Sequence, residues 1–400
     1  MRVLYVHECL GSFGGAEGYV LATARALRAR GHEVGLAAQK RSGKGEEAWA
    51  EVFGSNVSFP KNAADWRALV DAFRPDAAYI HKWEDLEGLE WLLGTNLPLV
   101  RMVHDHDLYC LRSYKYNPIT RRICTRPAGS YCVFPCLAPL KRDRSRASQF
   151  RWASFGRKLR EIDLNRRFDR LIVASRYMEA ELLRNRFDPL QIAVEPAVPP
   201  PGAAGSGRES SSFGDENLLL YVGQIVRGKG VDALLKSLAQ VKGNFRAFIV
   251  GEGHHRAKCE RLCARLRLEA KVQFLGFIPS SELESCYARA SAVTVSSLWP
   301  EPFGMVGIEA MRHGLPLVGF DAGAVREWLR DGQNGFLVPW NDTGAYARAV
   351  DRLLADKSLA RRLGENGRKL AELEYDFDRS IARLEALLAR VAAEPRRRAA

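Results

Sequence analysis

The sequence lacks a long hydrophobic run. No stretch of its 400 residues approaches the roughly 18 uncharged apolar residues that a membrane-spanning helix needs. The amino terminus also lacks the unbroken apolar core of a signal peptide, because His7 and Glu8 interrupt it. We therefore expect a cytoplasmic protein whose first segment is a buried strand.

Cysteine is scarce, and acidic residues are outnumbered. Eight cysteines in a chain of this length do not suggest a disulfide framework, and a reducing compartment argues against one. The 47 acidic residues against 60 Lys and Arg give a formal net charge of +13. This excess favours an anionic partner: phosphate groups, an acidic membrane surface or nucleic acid. We identify no tandem repeats and no Asp-x-Asp motif in a site-like context, so we expect no divalent cation in catalysis.

Short apolar runs alternate with amphipathic segments of helical length, which predicts α/β domains with parallel sheets. The alternation stops at 196–215, which is dense in Pro, Gly and Ser, and then resumes. We predict two doubly wound, Rossmann-like domains with ligands at the carboxyl ends of the strands. The predicted parts are domains over 1–196 and 217–375, a linker over 197–216, and a helix with a basic tail over 376–400 that packs back toward the first domain.

Segment 299–310, WPEPFGMVGIEA, follows a predicted strand and opens a predicted helix. Such a junction presents unpaired N–H groups and a positive dipole end to a ligand. Glu301 and Glu309 flank the turn, and carboxylates accept well from vicinal sugar hydroxyls. From residue types alone, a solvated helix start with Glu309 on an exposed face is about equally favoured.

This segment resembles the E-x7-E signature of glycosyltransferase family 4. The same resemblance extends over the second domain, through FLGF at 274–277, EAM at 309–311, GLP at 314–316 and GFLV at 335–338. It implies the GT-B architecture, in which two Rossmann-like domains face each other across a cleft. The sugar-nucleotide donor would lie mostly in the second domain and the acceptor mostly in the first.

The resemblance also implies roles for individual residues. Glu309 would bind the ribose hydroxyls of the donor, and Glu301 would hold the sugar. Backbone groups would complete this donor site: Phe303 and Gly304 beside the sugar, and Gly276, Phe277 and Ile278 along the base.

Segment 221–230, YVGQIVRGKG, is a strand end followed by a glycine-containing loop. Many such loops hold Gly and Lys, so the pattern alone is weak. In the family, an Arg directly after the first Gly and a later Lys grip the diphosphate. Lys229 matches that Lys, but Gln224 stands in the Arg position, and we expect Arg227 to supply the missing charge.

Two features of the first domain also match the family. Gly14 and Gly15 join the first strand to the first helix; residue types alone favour a tight turn, and the resemblance places them against the donor phosphate. His104 ends a predicted strand, where the resemblance places an active-site His near the sugar, with Asp105 orienting it. Retaining transfer without a protein nucleophile is implied, with catalysis by His104, Lys229 and Glu301 through positioning and charge stabilisation.

An irregular insertion over 105–140 carries four of the cysteines. They are Cys110, Cys124, Cys132 and Cys136. Four thiolates could bind a structural zinc ion, although the spacing is looser than in paired C-x2-C knuckles. Buried free thiols and a redox-sensitive loop are the alternatives.

Segment 141–170 is strongly basic and includes Phe150, Trp152 and Phe155. A basic helix with an aromatic edge suits anionic lipid headgroups, which predicts peripheral binding to the inner face of the cell membrane. A solvated face packed on the first domain is the alternative. Nucleic acid is not expected, because no recognition module accompanies the charge.

We therefore predict a retaining hexosyltransferase that moves a sugar from a nucleotide-diphosphate donor to a glycan or lipid-linked acceptor, in cell-surface polysaccharide or glycolipid synthesis. Two alternatives remain from the sequence. One is a sugar-nucleotide epimerase of GT-B fold, and the other is a non-catalytic basic protein that binds membranes or nucleic acid.

Overall fold

The computed structural model describes residues 1–11, 14–117, 120, 122–142, 150–202 and 217–394. Most of the predicted linker, the centre of the basic segment and the Arg396–Arg398 tail lie outside these residues. No helix in the described part of the chain has the length and apolar character needed to cross a membrane.

The chain divides into two compact units. Unit 1 comprises Met1–Lys115, Cys124–Ala197 and Asp378–Ala400, and unit 2 comprises Tyr116–Ile123 and Val198–Phe377. The predicted insertion at 105–140 therefore does not lie wholly in the first domain. Its segment Tyr116–Ile123 belongs to unit 2, where the ring of Tyr116 lies 6.4 Å from that of Trp340.

Unit 1 contains a seven-stranded sheet in which every pair of neighbours is parallel. Its strands are β1 (Arg2–Leu10), β2 (Glu33–Arg41), β3 (Val57–Ser58), β4 (Ala77–Ile80), β5 (Leu99–Val103), β10 (Arg170–Val173) and β11 (Ile192–Val194). Its larger helices are α1 (Gly15–Ala29), α2 (Glu46–Phe53), α3 (Ala63–Phe73), α4 (Leu86–Gly94), α6 (Phe155–Asn165), α7 (Arg176–Arg184) and, from Asp378 onward, α15 (Phe377–Ala393). The central strands β4 and β5 are buried along their whole length, as expected of a parallel sheet covered on both faces. Strand β4 is apolar throughout, whereas β5 contains Arg101, whose guanidinium donates to Asn165 at 2.8 Å.

Unit 2 contains a six-stranded parallel sheet. Its strands are β12 (Leu218–Val222), β13 (Arg246–Val250), β14 (Val272–Gly276), β15 (Ala292–Val295), β16 (Leu317–Phe320) and β17 (Gly335–Val338). Its helices are α8 (Val231–Leu238), α9 (Arg256–Arg265), α10 (Ser280–Arg289), α11 (Met305–Arg312), α12 (Val325–Trp328), α13 (Thr343–Ala355) and α14 (Lys357–Glu374).

The insertion and the segment after it form only small elements. They are β6 (Tyr116–Asn117) paired with β7 (Arg122–Ile123), helix α5 (Ser130–Val133), and β8 (Leu140–Arg142) paired with β9 (Phe150–Trp152). Three 3₁₀ turns complete the described structure, at His106–Leu108, Pro189–Gln191 and Arg227–Lys229.

Strand order defines a switch point in each sheet. Unit 1 has the order β11-β10-β5-β4-β1-β2-β3, so the chain reverses direction across the sheet between β1 and β4. Unit 2 has the order β14-β13-β12-β15-β16-β17 and reverses between β12 and β15. Ligands of doubly wound sheets bind at the carboxyl ends of the strands beside such points.

Candidate functional site

In unit 2, the turn after β12 and the loop after β15 interlock. The carbonyl oxygen of Gly228 accepts from the backbone N–H groups of Leu298 at 2.8 Å and Trp299 at 3.0 Å. A Cβ atom on Gly228 would lie 2.5 Å from the Trp299 indole, and one on Gly230 would lie 1.9 Å from the carbonyl oxygen of Ser296. Glycine is required at both positions because the two loops approach so closely.

This interlock places Lys229 against Glu301. The Lys229 ammonium lies 2.6 Å from Oε1 of Glu301 and 5.4 Å from the centre of the Trp299 ring. The same carboxylate oxygen accepts from the Ser297 hydroxyl and, at 3.1 Å, from the Trp299 indole N–H. Burial alone would raise the pKa of the Glu301 carboxyl, but Lys229 and these hydrogen bonds bring it below its ordinary value.

The backbone turns sharply between Glu301 and α11. Gly304 has φ 97°, a left-handed conformation that favours glycine, and α11 begins at the next residue. The buried Trp328 supports this turn, because its indole N–H donates to the carbonyl oxygen of Phe303 at 2.6 Å. Helix α11 therefore begins shortly after Glu301 in the chain. The free N–H groups of its first turn are suited to bind an anion.

Glu309 lies on α11 in different surroundings. The Tyr287 hydroxyl donates to its Oε2 at 2.8 Å. The Tyr287 ring stacks on His313 at 4.7 Å, and His313 lies 3.2 Å from Oε2 of Glu284. Burial raises the pKa of Glu309, and the bond from Tyr287 and the charge of Arg312 oppose that rise only in part.

The remaining predicted residues of unit 2 lie on neighbouring loops. Gly276 ends β14 with φ 77°, and the Phe277 side chain that follows is 77% exposed. Gln224 and Arg227 are both exposed, and Arg227 begins the turn that ends in Lys229. The contribution of Arg227 to diphosphate binding stays a prediction.

In unit 1, His104 lies directly after β5 and meets a second histidine that follows β4. Nε2 of His104 lies 2.8 Å from Nδ1 of the buried His81. Next to this pair, the Lys82 ammonium lies 2.8 Å from Oδ2 of Asp105. Burial and the nearby charge of Lys82 lower the pKa of His104 to about 3, so its imidazole is neutral at physiological pH.

The loop after β1 carries the predicted glycine pair. Gly14 precedes α1 with an extended backbone, and Gly14 and Gly15 are both exposed. Behind them, Glu17 in the first turn of α1 lies 3.6 Å from Nε2 of the buried His7. The two glycines thus leave the amino end of a 15-residue helix open to solvent.

An Asp-x-Asp pattern, which we did not expect in a site-like context, does occur at Asp105 and Asp107, directly after His104. Oδ2 of Asp105 is paired with Lys82, and its Oδ1 accepts from the backbone N–H of Asp107 at 2.8 Å. Within the described ranges, no group of three or more His, Cys, Asp or Glu side chains is arranged to hold a metal ion.

The same finding covers the four cysteines of the insertion, which are all described and all free thiols. Cys136 is buried beside Leu111 and Ala138, whereas Cys110 packs on the main core of unit 1. Burial raises the pKa values of Cys110 and Cys132, and Cys132 lies near enough to Cys110, Cys124 and Cys136 for their charges to interact. The structural zinc site stays a prediction.

The basic segment has two different parts. Helix α6 turns Ile162 and Leu164 into the core, and two of its cations are ion-paired, Lys158 with Glu161 and Arg160 with Glu90. Before α6, the end of the insertion and strand β9 instead expose large apolar side chains. They are Val133, Phe134, Leu137, Leu140 and Trp152, which we call the apolar edge.

Four site residues escaped sequence reasoning. His81 and Lys82 directly follow a predicted strand, so strand-end position could have indicated them. Trp299 and Tyr287 gave no such signal, because their partners Lys229 and Glu309 are brought to them only by the fold.

Comparison with known proteins supports the same interpretation. Over residues 13–196 the chain matches the family model described as Glycosyltransferase Family 4, and over 207–370 the one described as Glycosyl transferases group 1. It is 32% identical over 166 residues to an uncharacterised glycosyltransferase of Methanocaldococcus jannaschii, covering 41% of this chain and 42% of that relative. The match therefore spans less than half of the relative's length.

Solved structures resemble the chain over almost its whole length. Sucrose-phosphate synthase from Thermosynechococcus elongatus gives a TM-score of 0.73 at 23% identity, covering 98% of this chain and 99% of that one. Anabaena HepE in complex with UDP-glucose gives 0.72 at 19% identity, covering 98% and 100%. At these identities the likeness concerns the fold. The two family matches, one over each half, show that the chain belongs to glycosyltransferase family 4, and the likeness to solved structures shows the GT-B fold.

Proposed function

We propose that this protein is a retaining glycosyltransferase that moves a sugar from a nucleoside diphosphate donor to a hydroxyl of a glycan or lipid-linked acceptor. The observation that carries the proposal is the arrangement in unit 2 of one cation and two carboxylates. Lys229 and Glu301 are paired across two interlocked loops, and Glu309 follows on the helix that starts there.

The diphosphate would bind beside Lys229. The ammonium has three N–H donors, and Glu301 requires one of them, so two remain for phosphate oxygens. The N–H groups at the start of α11 add neutral donors and the positive end of the helix dipole. Lys229 can thus stay paired with Glu301 while it contacts the donor.

The nucleoside would bind at Glu309. Because Tyr287 donates to Oε2, the carboxylate is held in one orientation and Oε1 remains for a ribose hydroxyl. HepE, which has the same fold, was solved with UDP-glucose. A nucleoside diphosphate sugar could use all three groups, with its phosphates on Lys229 and its hydroxyls on the two carboxylates.

In the proposed reaction the acceptor oxygen forms a bond to the anomeric carbon as the bond from that carbon to the diphosphate breaks. The electron pair of the broken bond passes to the diphosphate oxygen, and the acceptor proton follows to the same group. Lys229 and the α11 N–H groups stabilise the charge that develops there. Glu301 has a lowered pKa and several donors on Oε1, so it positions Lys229 and the sugar and does not carry a proton.

A donor panel read by thermal shift tests the binding step. UDP-glucose, GDP-mannose and related donors would be compared on wild type, on Glu309→Gln, and on Glu269→Gln, a control that removes an exposed carboxylate of the same unit. We expect at least one donor to raise the melting temperature of wild type and of the control but not of Glu309→Gln. Equal stabilisation of Glu309→Gln would remove Glu309 from the site, and no stabilisation by any donor at millimolar concentration would favour the non-catalytic alternative.

Product analysis tests the reaction. Incubating the stabilising donor with a membrane lipid extract should release nucleoside diphosphate and label a lipid or glycan fraction. Conversion of the donor to an epimer without any acceptor would instead establish the epimerase alternative.

For the lipid-linked acceptor, we propose that the apolar edge docks on an anionic membrane surface. Phe134 and Trp152 are 76% and 72% exposed, whereas Lys158 and Arg160 of α6 are ion-paired within unit 1. The docking element proposed is therefore the apolar edge, which shares only Trp152 with the aromatic residues named for segment 141–170. The net charge of +13 favours an anionic lipid surface over a neutral one.

Vesicle sedimentation tests this docking. We expect the variant Phe134→Ser with Trp152→Ser to bind phosphatidylglycerol vesicles at least about tenfold more weakly, since burying one large apolar side chain stabilises by about 1.5–3 kcal/mol. Leu190→Ser is the matched control, because Leu190 is 70% exposed in unit 1 but lies outside the apolar edge. Unchanged binding of the double variant would contradict the proposal.

A further inference from the structure

A pair of histidines behind the carboxyl ends of β4 and β5 has no role in the proposed reaction so far. His81 is buried and His104 is half-buried. Their rings are 5.0 Å apart with an interplanar angle of 26°. Together with the 2.8 Å separation of Nδ1 and Nε2, this geometry is that of a hydrogen bond close to the plane of both rings.

Each ring in this pair carries a single N–H. Burial lowers the pKa of both imidazoles, and the positive charge of Lys82 further lowers that of His104. Of the two nitrogens that meet, one therefore donates and the other accepts. Either His81 donates from Nδ1, or His104 donates from Nε2.

The far side of His81 distinguishes the two arrangements. Its Nε2 is buried and has no hydrogen-bond partner among the described residues. If His104 were the donor, the proton of His81 would lie on that Nε2 as a buried N–H without an acceptor, which costs the desolvation free energy of that donor. If His81 is the donor, Nε2 is a bare ring nitrogen, and no N–H is orphaned.

The surroundings of Nε2 agree with a bare nitrogen. The His81 ring is enclosed by aromatic rings, with Tyr5 parallel at 5.5 Å, Tyr79 at 4.3 Å and Tyr19 at 6.3 Å. The other charged or titratable groups near the two histidines are Lys82, Asp105, Arg101, Glu17 and His7. His7 accepts the backbone N–H of Lys82 at Nδ1, so its proton faces Glu17 and not His81.

We infer that His81 is a positioning residue that fixes the tautomer of His104: Nδ1–H of His81 donates to Nε2 of His104, and His104 presents its own Nδ1–H as a hydrogen-bond donor. In this state His104 can donate to an oxygen of a sugar or phosphate, but it cannot take a proton from an acceptor hydroxyl. The functional importance of this inference rests on the proposed transferase activity. The tautomer itself does not.

Nitrogen NMR of the full chain labelled at histidine tests the tautomer without any ligand. Spectra of His104→Asn and His81→Asn assign the two rings. We expect wild-type His104 to be protonated at Nδ1 and not at Nε2. We expect His81→Leu to shift His104 toward Nε2–H, the form that free imidazoles favour in water. His255→Asn, a buried-histidine control in unit 2, should leave the His104 signals unchanged.

Two results would overturn the inference: Nε2–H on His104 in wild type, or an unchanged tautomer in folded His81→Leu. The wild-type measurement stands even if the variant does not fold.

Steady-state kinetics test the functional importance of the tautomer. The donor is UDP-glucose or GDP-mannose, whichever stabilises the wild type. His81→Leu should lower kcat on the order of tenfold with little change in KM, less than the roughly hundredfold typical of deleting an oriented donor outright. His81→Asn, whose amide can still donate at the same place, should recover most of this loss. If no donor of the panel stabilises the protein, the proposed function fails while the NMR result still tests the tautomer.

Discussion

Glu301 and Glu309 lie on one short segment, but their environments shift their pKa values in opposite directions. Both carboxyls are desolvated, which by itself raises a pKa. For Glu301, the effect of desolvation is outweighed by Lys229 and two further donors, so its pKa falls below the ordinary value. Glu309 has Tyr287 and a more distant Arg312, and its pKa stays raised. As the pH falls, Glu309 therefore takes up a proton before an ordinary carboxyl does, whereas Glu301 stays charged to a lower pH.

A pH dependence of donor binding follows. Because a protonated Glu309 is a poorer acceptor for ribose hydroxyls, donor affinity should fall as the pH drops through its raised pKa. Tyr287→Phe removes a bond that lowers this pKa, so the loss should begin at a still higher pH. We expect binding at neutral pH to weaken by about tenfold or more, since hydrogen bonds to charged groups contribute about 1.5–3 kcal/mol.

Calorimetric titration of UDP across the weakly acidic range measures both effects. Tyr346→Phe is the control, because it deletes a buried hydroxyl that bonds the carbonyl oxygen of Val318 and no carboxylate. If UDP affinity begins to fall at the same pH in Tyr287→Phe as in wild type, this account of Glu309 is contradicted.

At the scale of elements, the site of unit 2 depends on two loops that have little regular structure of their own. The turn Arg227–Lys229 and the loop after β15 are held by backbone hydrogen bonds to Gly228 and by the Trp299 indole that covers it. Their rigidity therefore comes from mutual packing, and the Lys229–Glu301 pair is a consequence of that packing.

Gly228→Ala should separate the two loops. The added methyl would lie 2.5 Å from the Trp299 indole, and we expect a loss of about 1–3 kcal/mol in the free energy of unfolding together with weaker donor binding. Gly243→Ala is the matched control, because its nearest contact would be an ordinary 3.5 Å. Urea unfolding measures the change.

Combining Gly228→Ala with Trp299→Leu tests whether a clash with the Trp299 indole causes the loss of stability. Since the smaller side chain removes the clash, the double variant should lose less stability than the sum of the single changes. Additive losses would mean that the indole is not what Gly228 accommodates.

At the scale of the whole molecule, unit 1 is not continuous in sequence. The chain leaves it at Ala197 and returns from Asp378 as helix α15. That helix buries five large apolar side chains, namely Ile381, Leu384, Leu387, Leu388 and Val391. Its Glu385 also pairs with Arg30 at 3.1 Å and His32 at 2.7 Å, beyond the end of α1.

Truncation after Phe377 should therefore unfold unit 1. Full burial of five such side chains stabilises by about 7–15 kcal/mol, which is comparable to the whole stability of a typical domain. Circular dichroism and limited proteolysis measure the result, with truncation after Glu394 as the control that keeps α15. A folded unit 1 in the shorter chain would contradict the prediction.

Much of the fold was accessible from sequence because its signals are local. Buried strands such as Ala77–Ile80 are short apolar runs, and the helices between them have an apolar face, so the α/β class and the strand positions follow from pattern alone. The site segment 299–310 was also accessible, because its glycine, carboxylates and helix start are adjacent in the chain.

The tertiary structure decided everything that depends on side chains meeting across the fold. No local pattern indicates that Trp299 covers Gly228, that Tyr287 orients Glu309, or that His81 meets His104, since each pair is separated in sequence and joined only by packing. The cysteine spacing allows a zinc site, which stays a prediction. Sequence thus determined the elements and their chemistry, while packing determined which of those groups act on each other.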